Sequence, residues 1–303
     1  MRSSRPSIVF AMGLMLASTG VQAAAKCDRD CLKATLDRYL DAVVKHDPHS
    51  AGLDAKFHYT ENAIAMKAGE GLWKSARGLG KVQRRYLDPV SGQAAYFGFI
   101  EAEEGDGGVG IATLRIRVVN KKVVEGETIV GRKSDGTFNA DGLLAQPPPE
   151  KPAASAKASR EVLQKAAESY FEGLGHADGS MVIRHKGCYR IENGLLLTGR
   201  PIRDAKPDAN GEIPKSDCAT LEIFKSTING VSHRRYPVID EEAGMVLGMG
   251  ILERPVGAKR PDGSIYPRNL LSEYFLMEDG QIRGIYAAMH YMTPDVADAP
   301  GWK

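Results

Sequence analysis

Two segments of the 303-residue chain carry apolar residues three or four positions apart, the spacing of an amphipathic helix. The first segment carries Leu32, Leu36, Leu40, Val43 and Val44, and the second carries Val162, Ala166, Tyr170 and Leu174. Each ends at a polar turn, around Asp47 in one case and Asp178 in the other. The pattern predicts one helix near the start of each half of the chain, followed in both halves by a strand and a tight connection.

Further along each half, the period changes from helical to alternating apolar and polar residues, which is typical of strands. In the first half the alternating segments are 93–101, 110–119 and 123–132; in the second they are 231–239, 244–253, 270–277 and 281–291. A helix followed by several hairpin-connected strands predicts an α+β fold, with helices packed on one face of a curved antiparallel sheet.

The two halves are related by an internal repeat with constant register. The residues Tyr39, Asp47, Glu61 and Asn62 recur 131 positions later as Tyr170, Asp178, Glu192 and Asn193. Between the halves lies a Pro- and Ala-rich segment, 146–157, whose composition is typical of a linker. We therefore predict two tandem domains, at 27–145 and 158–300.

The N-terminus follows neither pattern. Arg2 and Arg5 precede an apolar run from Ile8 to Ala17, and small residues follow at 21–25. This order predicts a signal peptide at 1–25 and a periplasmic or secreted protein. No other segment approaches 18 apolar residues, so we expect no membrane association after signal cleavage.

Composition narrows the classes of partner. The chain has 40 basic and 38 acidic residues, interspersed along its length, which disfavours nucleic acid as a partner. Four cysteines in an exported protein predict one or two disulfides, and we favour Cys188 with Cys218 and Cys27 with Cys31. The sequence lacks the motifs of dinucleotide, P-loop, α/β-hydrolase and zincin sites, and its cysteine spacing is a poor match to a metal site, so no cofactor and no metal are implied.

The chain resembles the NTF2-like superfamily, which includes SnoaL-like cyclases and ketosteroid isomerases. The resemblance covers both halves. With its tandem arrangement and predicted secretion, the chain is similar to a group of bacterial and fungal proteins. Its carriers are Asp37-Arg-Tyr-Leu-Asp-Ala-Val-Val-Lys-His-Asp-Pro, Phe57-His-Tyr-Thr-Glu-Asn, Glu168-Ser-Tyr-Phe-Glu-Gly-Leu-Gly-His-Ala-Asp-Gly, Cys188-Tyr-Arg-Ile-Glu-Asn-Gly and Tyr274-Phe-Leu-Met-Glu-Asp-Gly-Gln-Ile-Arg. It implies two cone-shaped units, each with a pocket between helix and sheet, associated as an internal pseudo-dimer; a homodimer is also possible.

Ketosteroid isomerases use a tyrosine and a protonated carboxyl as oxyanion donors and a second carboxylate as base. The resemblance assigns these roles to Tyr170 and Glu273 as donors and to Glu192 as base. The first half keeps Tyr39 and Glu61 at the matching positions, while Thr113 or a neighbour stands where the third acid is expected. A structural interpretation competes, in which the Glu-Asn pairs stabilise a turn that needs positive φ and the tyrosines are core residues.

Other residues are weaker candidates. His58 and Tyr59 alternate on a strand, so only one of them faces a pocket; His290 is a second choice of acid or base, beside Tyr291 at the expected pocket mouth. Arg235 would suit an anionic substrate if it faced a pocket, although an exposed basic edge is the simpler interpretation. Trp73 belongs to an aromatic set in the first half, and five methionines mark the second; both sets fit either a hydrophobic ligand or a plain core.

Two hypotheses follow. In the first, the protein is a cofactor-free lyase or isomerase that acts on a small hydrophobic or aromatic compound through an enolate-like intermediate, by dehydration, retro-aldol aldehyde loss or a double-bond shift. In the second, it is a non-catalytic periplasmic module for ligand binding or association, with structural Tyr and Glu residues.

Overall fold

The computed structural model describes residues 26–103, 108–150, 158–202, 205–260 and 262–292. The N-terminal half (26–145) contains helices α1 (Arg29–Val44), α2 (Leu72–Ser75) and α3 (Ala140–Ala145) and strands β1 (Leu53–Glu61), β2 (Ile64–Met66), β3 (Ala76–Asp88), β4 (Gln93–Ala102), β5 (Val109–Val119) and β6 (Lys122–Gly131). The C-terminal half (158–292) contains helix α4 (Arg160–His176) and strands β7 (Arg184–Glu192), β8 (Leu195–Leu196), β9 (Gly230–Asp240), β10 (Met245–Glu253), β11 (Asn269–Glu278) and β12 (Gln281–Tyr291). Helices are few, so the chain is mainly β.

Each half forms one six-stranded sheet, and the two sheets have the same strand order. The orders are β2-β1-β6-β5-β4-β3 and β8-β7-β12-β11-β10-β9. The expectation of wholly antiparallel sheets was wrong, because β1 pairs with β6, and β7 with β12, in parallel. The chain must cross the whole sheet between these partners, and a local alternating pattern does not reveal such a long-range pairing.

The long helices pack on one face of each sheet with the apolar sides that their spacing predicts. In α1 the buried residues include Leu32, Leu36 and Tyr39, and the carboxylate of Asp28 caps the helix by accepting the backbone amide of Cys31 at 2.9 Å. In α4 the buried residues include Tyr170 and Leu174, whereas Val162, expected on this face, is 48% exposed.

The opposite faces of the two sheets pack against each other and form a shared core. Apolar residues of both halves meet there, among them Phe97, Tyr274 and Tyr286. The hydroxyls of Thr113 and Ser272 lie 2.7 Å apart in this core. Each half therefore has its own helix-side interior, and a third core joins the halves.

A reciprocal pair of ion bridges, which we call the arginine clamps, also joins the halves. Arg29, the first residue of α1, binds both carboxylate oxygens of Asp240 at 2.8 and 3.0 Å. Arg160, the first residue of α4, binds both oxygens of Asp88 at 2.9 and 2.6 Å. Both aspartates are fully buried, and each also accepts a backbone amide of the other half, from Leu87 and from Ile239 respectively.

Both predicted disulfides are confirmed, with Cα–Cα distances of 5.2 Å for Cys27–Cys31 and 5.3 Å for Cys188–Cys218. Such bonds persist in an oxidising environment. Within the described ranges, no helix combines the length and apolarity needed to cross a bilayer. The predicted signal peptide, and the linker beyond residue 150, lie outside the described residues.

Candidate functional site

The helix-side interior of the C-terminal half contains four buried polar residues that converge, which we call the Arg190 cluster: Tyr170, Arg190, Glu192 and Glu273. Tyr170 comes from α4, Arg190 and Glu192 from β7, and Glu273 from β11. Arg190 and Glu192 are two residues apart on one strand, so their side chains point to the same face of the sheet. The predicted Tyr170, Glu192 and Glu273 are thus brought together around an arginine that sequence analysis did not select.

The guanidinium of Arg190 holds the cluster together. One of its nitrogens, Nη2, donates to Glu192 Oε1 at 2.8 Å and to Glu273 Oε1 at 3.0 Å. The guanidinium carbon also lies 5.8 Å from the centre of the Tyr170 ring, within the range of a cation–π contact. One guanidinium therefore binds two carboxylates and also contacts the ring of Tyr170.

Several polar atoms of the cluster are buried and unpaired. The hydroxyl of Tyr170, Nε of Arg190 and Oε2 of Glu273 have no hydrogen-bond partner among the described residues. Glu192 accepts only the bond from Arg190 within the same part of the chain, and its side chain is 13% exposed. Buried polar groups are nearly always paired, yet Tyr39 and Trp73 in the N-terminal interior also carry unpaired atoms. What distinguishes the Arg190 cluster is therefore the cavity that lies next to it.

The electrostatics of the cluster follow from its two-to-one ratio of acids to base. Burial raises the pKa of Glu273, and the Glu192 carboxylate adds to that effect, while Arg190 opposes it. Burial also raises the pKa of the Tyr170 phenol, so it stays protonated and can donate. Burial alone would lower the pKa of Arg190, but the nearby carboxylates outweigh it and the pKa is raised, so the guanidinium stays charged.

A cavity of about 370 Å³ opens onto the cluster. Tyr170 and Arg190 belong to its lining, whereas Glu192 and Glu273 do not. Glu273 is fully buried, and Glu192 keeps a small exposed fraction. The remaining wall comes mostly from residues 197–202 and 205–229, which follow β8 and which we call the mouth loop. Its apolar contributions are Leu197, Pro201, Ile202, Ile223 and Phe224. The disulfide Cys188–Cys218 ties this loop to β7, two residues before Arg190.

The equivalent interior of the N-terminal half is filled. Glu61 Oε2 accepts the Tyr59 hydroxyl at 2.9 Å and the backbone amide of Leu72 at 2.7 Å, so the carboxylate fixes the start of α2. Trp73 on α2 is buried against Tyr39, with ring centroids 5.2 Å apart. Here the predicted Tyr39, Glu61 and Trp73 form a packed core with a bound glutamate.

Strand register identifies the matching positions in the two sheets. Starting at the repeated glutamate and crossing three strands, the row reads Glu61, Thr128, Leu114 and Tyr96 in the N-terminal half, and Glu192, Ala287, Glu273 and Gly248 in the C-terminal half. Leu114, the neighbour of Thr113, therefore occupies the position of the third acid. Tyr59 matches Arg190, since each precedes the repeated glutamate by two residues.

The repeated asparagines have the structural role that sequence analysis considered. Asn62 and Asn193 have φ of 47° and 41°, and the side-chain oxygen of each accepts a backbone amide of the neighbouring strand, from Val130 and Met289. The Glu-Asn repeat thus combines a turn residue, Asn, with an acid whose partners differ between the halves.

The remaining candidates lie away from the Arg190 cavity. His58 is exposed and points away from Tyr59, which is buried. Arg235 lies on the edge strand β9 and is partly buried; it binds the buried Glu127 of the other half at 2.6 and 3.2 Å. His290 Nδ1 lies 3.0 Å from Asp135, and the Tyr291 hydroxyl lies 3.2 Å from Thr137, so both mark the junction of the halves and not the cavity mouth.

In the part of the chain that the structure describes, no group of three or more His, Cys, Asp and Glu side chains is placed to hold a metal ion. The chemistry available to the cluster is proton transfer by a carboxylate and hydrogen bonding by a phenol and a guanidinium to a ligand oxygen.

A family model and a solved structure are each similar to part of the chain. The family described as "Domain of unknown function (DUF8021)" matches residues 156–289, the greater part of the C-terminal half. The solved structure of AclR from Streptomyces galilaeus, named as a candidate hydroxylase, is similar at 14% identity over 46% of this chain and 97% of that chain, with a TM-score of 0.29. No curated protein matches the sequence.

Proposed function

We propose that the C-terminal half is a cofactor-free acid–base enzyme, a lyase or isomerase, acting on a small hydrophobic or aromatic carbonyl compound. The observation that supports this most is a largely apolar cavity whose lining includes Tyr170 and Arg190, because the Tyr170 hydroxyl and Arg190 Nε have no hydrogen-bond partner among the described residues. We further propose that both halves are NTF2-like units and that the protein works in an extracytoplasmic compartment, an assignment favoured by its two disulfides.

Each residue of the cluster has a role in this proposal. In this proposal Glu192, which is outside the cavity lining but is 13% exposed and bonded to the lining residue Arg190, reaches the substrate beside that guanidinium and removes a proton from the carbon next to the carbonyl. Its second oxygen has no hydrogen-bond partner among the described residues that would compete. Tyr170 and Arg190 donate hydrogen bonds to the enolate oxygen as its charge develops. The family resemblance assigned a donor role to Glu273, but we assign it to Arg190, because Arg190 lines the cavity and Glu273 does not. Glu273 is fully buried and positions Arg190 through their hydrogen bond.

Proton abstraction can be tested without knowing the final product. Aromatic and steroid-like carbonyl compounds are screened by thermal shift, since a ligand of the native state raises its apparent stability. For each compound that binds, exchange of the α-proton is then followed by NMR in deuterated water. We expect Glu192→Gln to slow the exchange by at least about 100-fold, the usual contribution of a general base.

The repeat supplies a matched control. Glu61→Gln changes the equivalent residue of the other half, where the carboxylate binds Tyr59 and a backbone amide, and we expect it to leave the exchange rate unchanged. A folded Glu192→Gln protein that exchanges protons at the wild-type rate would refute the proposed base.

A binding role without catalysis is the second candidate, favoured by the engagement of both acids with Arg190. In that case Glu192→Gln lowers the free energy of unfolding by about 1 to 3 kcal/mol, because a buried charged hydrogen bond is weakened, while ligand affinity stays the same.

A further inference from the structure

The charged side chains that line the Arg190 cavity differ in whether another residue pairs with them. Three charged residues contribute to the lining: Arg190, Arg200 and Asp217. The Nη2 of Arg190 is taken by Glu192 and Glu273, and Asp217 accepts from Arg184 at 3.2 Å. The guanidinium of Arg200 has no ion pair or hydrogen bond with any described residue. The backbone of Arg200, in contrast, is held in place.

The backbone around Arg200 holds that position. Ser216 donates its amide to the carbonyl of Arg200 at 2.7 Å, and the Arg200 amide donates to the Ser216 hydroxyl at 3.3 Å. Pro201 and Lys215 continue this antiparallel pairing, and Cys218, two residues after Ser216, is bonded to Cys188. Arg200 is therefore an exposed cation on a braced segment at the cavity mouth.

The enclosed polar residues of the lining, Tyr170, Arg190 and Thr198, carry hydrogen-bond donors as well. The Tyr170 hydroxyl and Arg190 Nε are unpaired within the described residues, and the Thr198 hydroxyl accepts the Arg190 backbone amide, which leaves its own hydrogen available. Between floor and mouth the wall is apolar, formed by residues such as Ile202, Ile223 and Phe224. A ligand that matches this order has an acceptor at one end, an apolar body and a second acceptor at the other end.

We propose that the substrate is a small amphipathic carboxylate that carries a carbonyl group: Arg200 binds the carboxylate at the mouth, and Tyr170 and Arg190 bind the carbonyl oxygen at the floor. This rests on the proposed function for the floor of the cavity and adds the substrate class. A guanidinium offers two parallel donors that match a carboxylate, whereas a neutral amide matches only one of them well.

The test compares two probes of nearly equal shape, 4-acetylbenzoate and 4-acetylbenzamide, by isothermal titration calorimetry on the whole chain. We expect the acid to bind about tenfold more tightly than the amide. Arg200→Gln should reduce this preference to within about twofold by weakening the acid alone. Lys206→Gln is the matched control, because Lys206 is exposed in the same mouth loop but does not line the cavity, and it should preserve the preference.

Equal affinity for the two probes, no measurable binding of the acid, or a preference that survives Arg200→Gln would each overturn the inference. Its failure is distinguishable from failure of the proposed enzyme, because calorimetry requires no turnover. A non-catalytic protein with this cavity would still prefer the acid, and an enzyme for neutral substrates would show Glu192-dependent proton exchange without the preference.

Discussion

The helix-side interiors of the two halves are built on the same frame but used differently. In the N-terminal half, Glu61 is satisfied by Tyr59 and a backbone amide. In the C-terminal half, Arg190 replaces that tyrosine and pairs with two acids. The repeated glutamate is therefore hydrogen-bonded within a packed core in one half and paired with an arginine next to a cavity in the other.

The difference lies in the neighbours of the glutamate more than in the glutamate itself. Gly248 and Ala287 stand where the N-terminal half has the larger Tyr96 and Thr128. In addition, α2 places Trp73 over the N-terminal interior, whereas the longer mouth loop lines the Arg190 cavity. Neither Gly248 nor Ala287 lines the cavity, so its space is bounded mainly by the longer connection, with the sheet topology retained.

The strongest test of this comparison removes the partner of the glutamate in each half. Arg190→Met leaves the fully buried Glu273 without its cation, and we expect a loss of about 3 to 5 kcal/mol in the free energy of unfolding. Tyr59→Phe removes one neutral donor from Glu61, which keeps the Leu72 amide, and should cost about 1 kcal/mol. Urea denaturation measures both; equal losses would show that the Arg190 cluster is not held by its charges.

The second test compares the effects of removing each of the two disulfides. Cys188–Cys218 closes a loop with a separation of 30 residues, while Cys27–Cys31 spans four. By loop-closure entropy, replacing each pair with alanines should lower the free energy of unfolding by about 3.5 and about 2 kcal/mol respectively. Only the first replacement should also weaken ligand binding in the Arg190 cavity, because only that bond braces the mouth loop; equal effects on affinity would contradict this role.

The smallest effect concerns pH and compares two fully enclosed glutamates. Glu273 shares one arginine with another acid, and its pKa is raised by burial. Glu127 has two arginines, Arg115 and Arg235, which outweigh burial and lower its pKa. Glu273 thus favours the fold at low pH and loses this contribution as pH rises above the ordinary glutamate pKa, whereas the contribution of Glu127 is lost as pH falls.

The corresponding glutamine variants should therefore differ in opposite directions from the wild type. On raising the pH from 4 to 7, the stability of Glu273→Gln relative to wild type should improve, and that of Glu127→Gln should worsen. Urea midpoints across this range measure the trend. A shared direction would mean that the ratio of acids to arginines does not set the two pKa values.

The sequence predicted the elements with strong periodicity. Helix α1, the hairpin strands β4 to β6 and β9 to β12, and both disulfides agree with the structure within a few residues. Strand β3 was missed, because its glycines and clustered basic residues (Ala76–Asp88) interrupt the alternation. The parallel pairing of β1 with β6 depends on contacts distant along the chain, which local spacing does not encode.

For the site, the repeat directed attention to matched tyrosines and glutamates, which the structure brings near Arg190, but it gave no indication of Arg190 itself. A comparison of identical residues passes over the position where Tyr59 and Arg190 differ, although the spacing of Arg190 from Glu192 was a usable signal, since residues two apart on a strand share a face. Arg200 lies in the mouth loop, whose counterpart in the N-terminal half, the connection 67–75, is much shorter, so the repeat carried no information about it.

The arginine clamps have a consequence for how the protein is made. Synthesis completes the N-terminal half first, with Asp88 still lacking Arg160 and the sheet face around Phe97 uncovered. Until the C-terminal half folds, the carboxylate of Asp88 and the apolar sheet face are exposed to solvent and to other proteins. The N-terminal half therefore reaches its fully buried state only when the C-terminal half has folded against it.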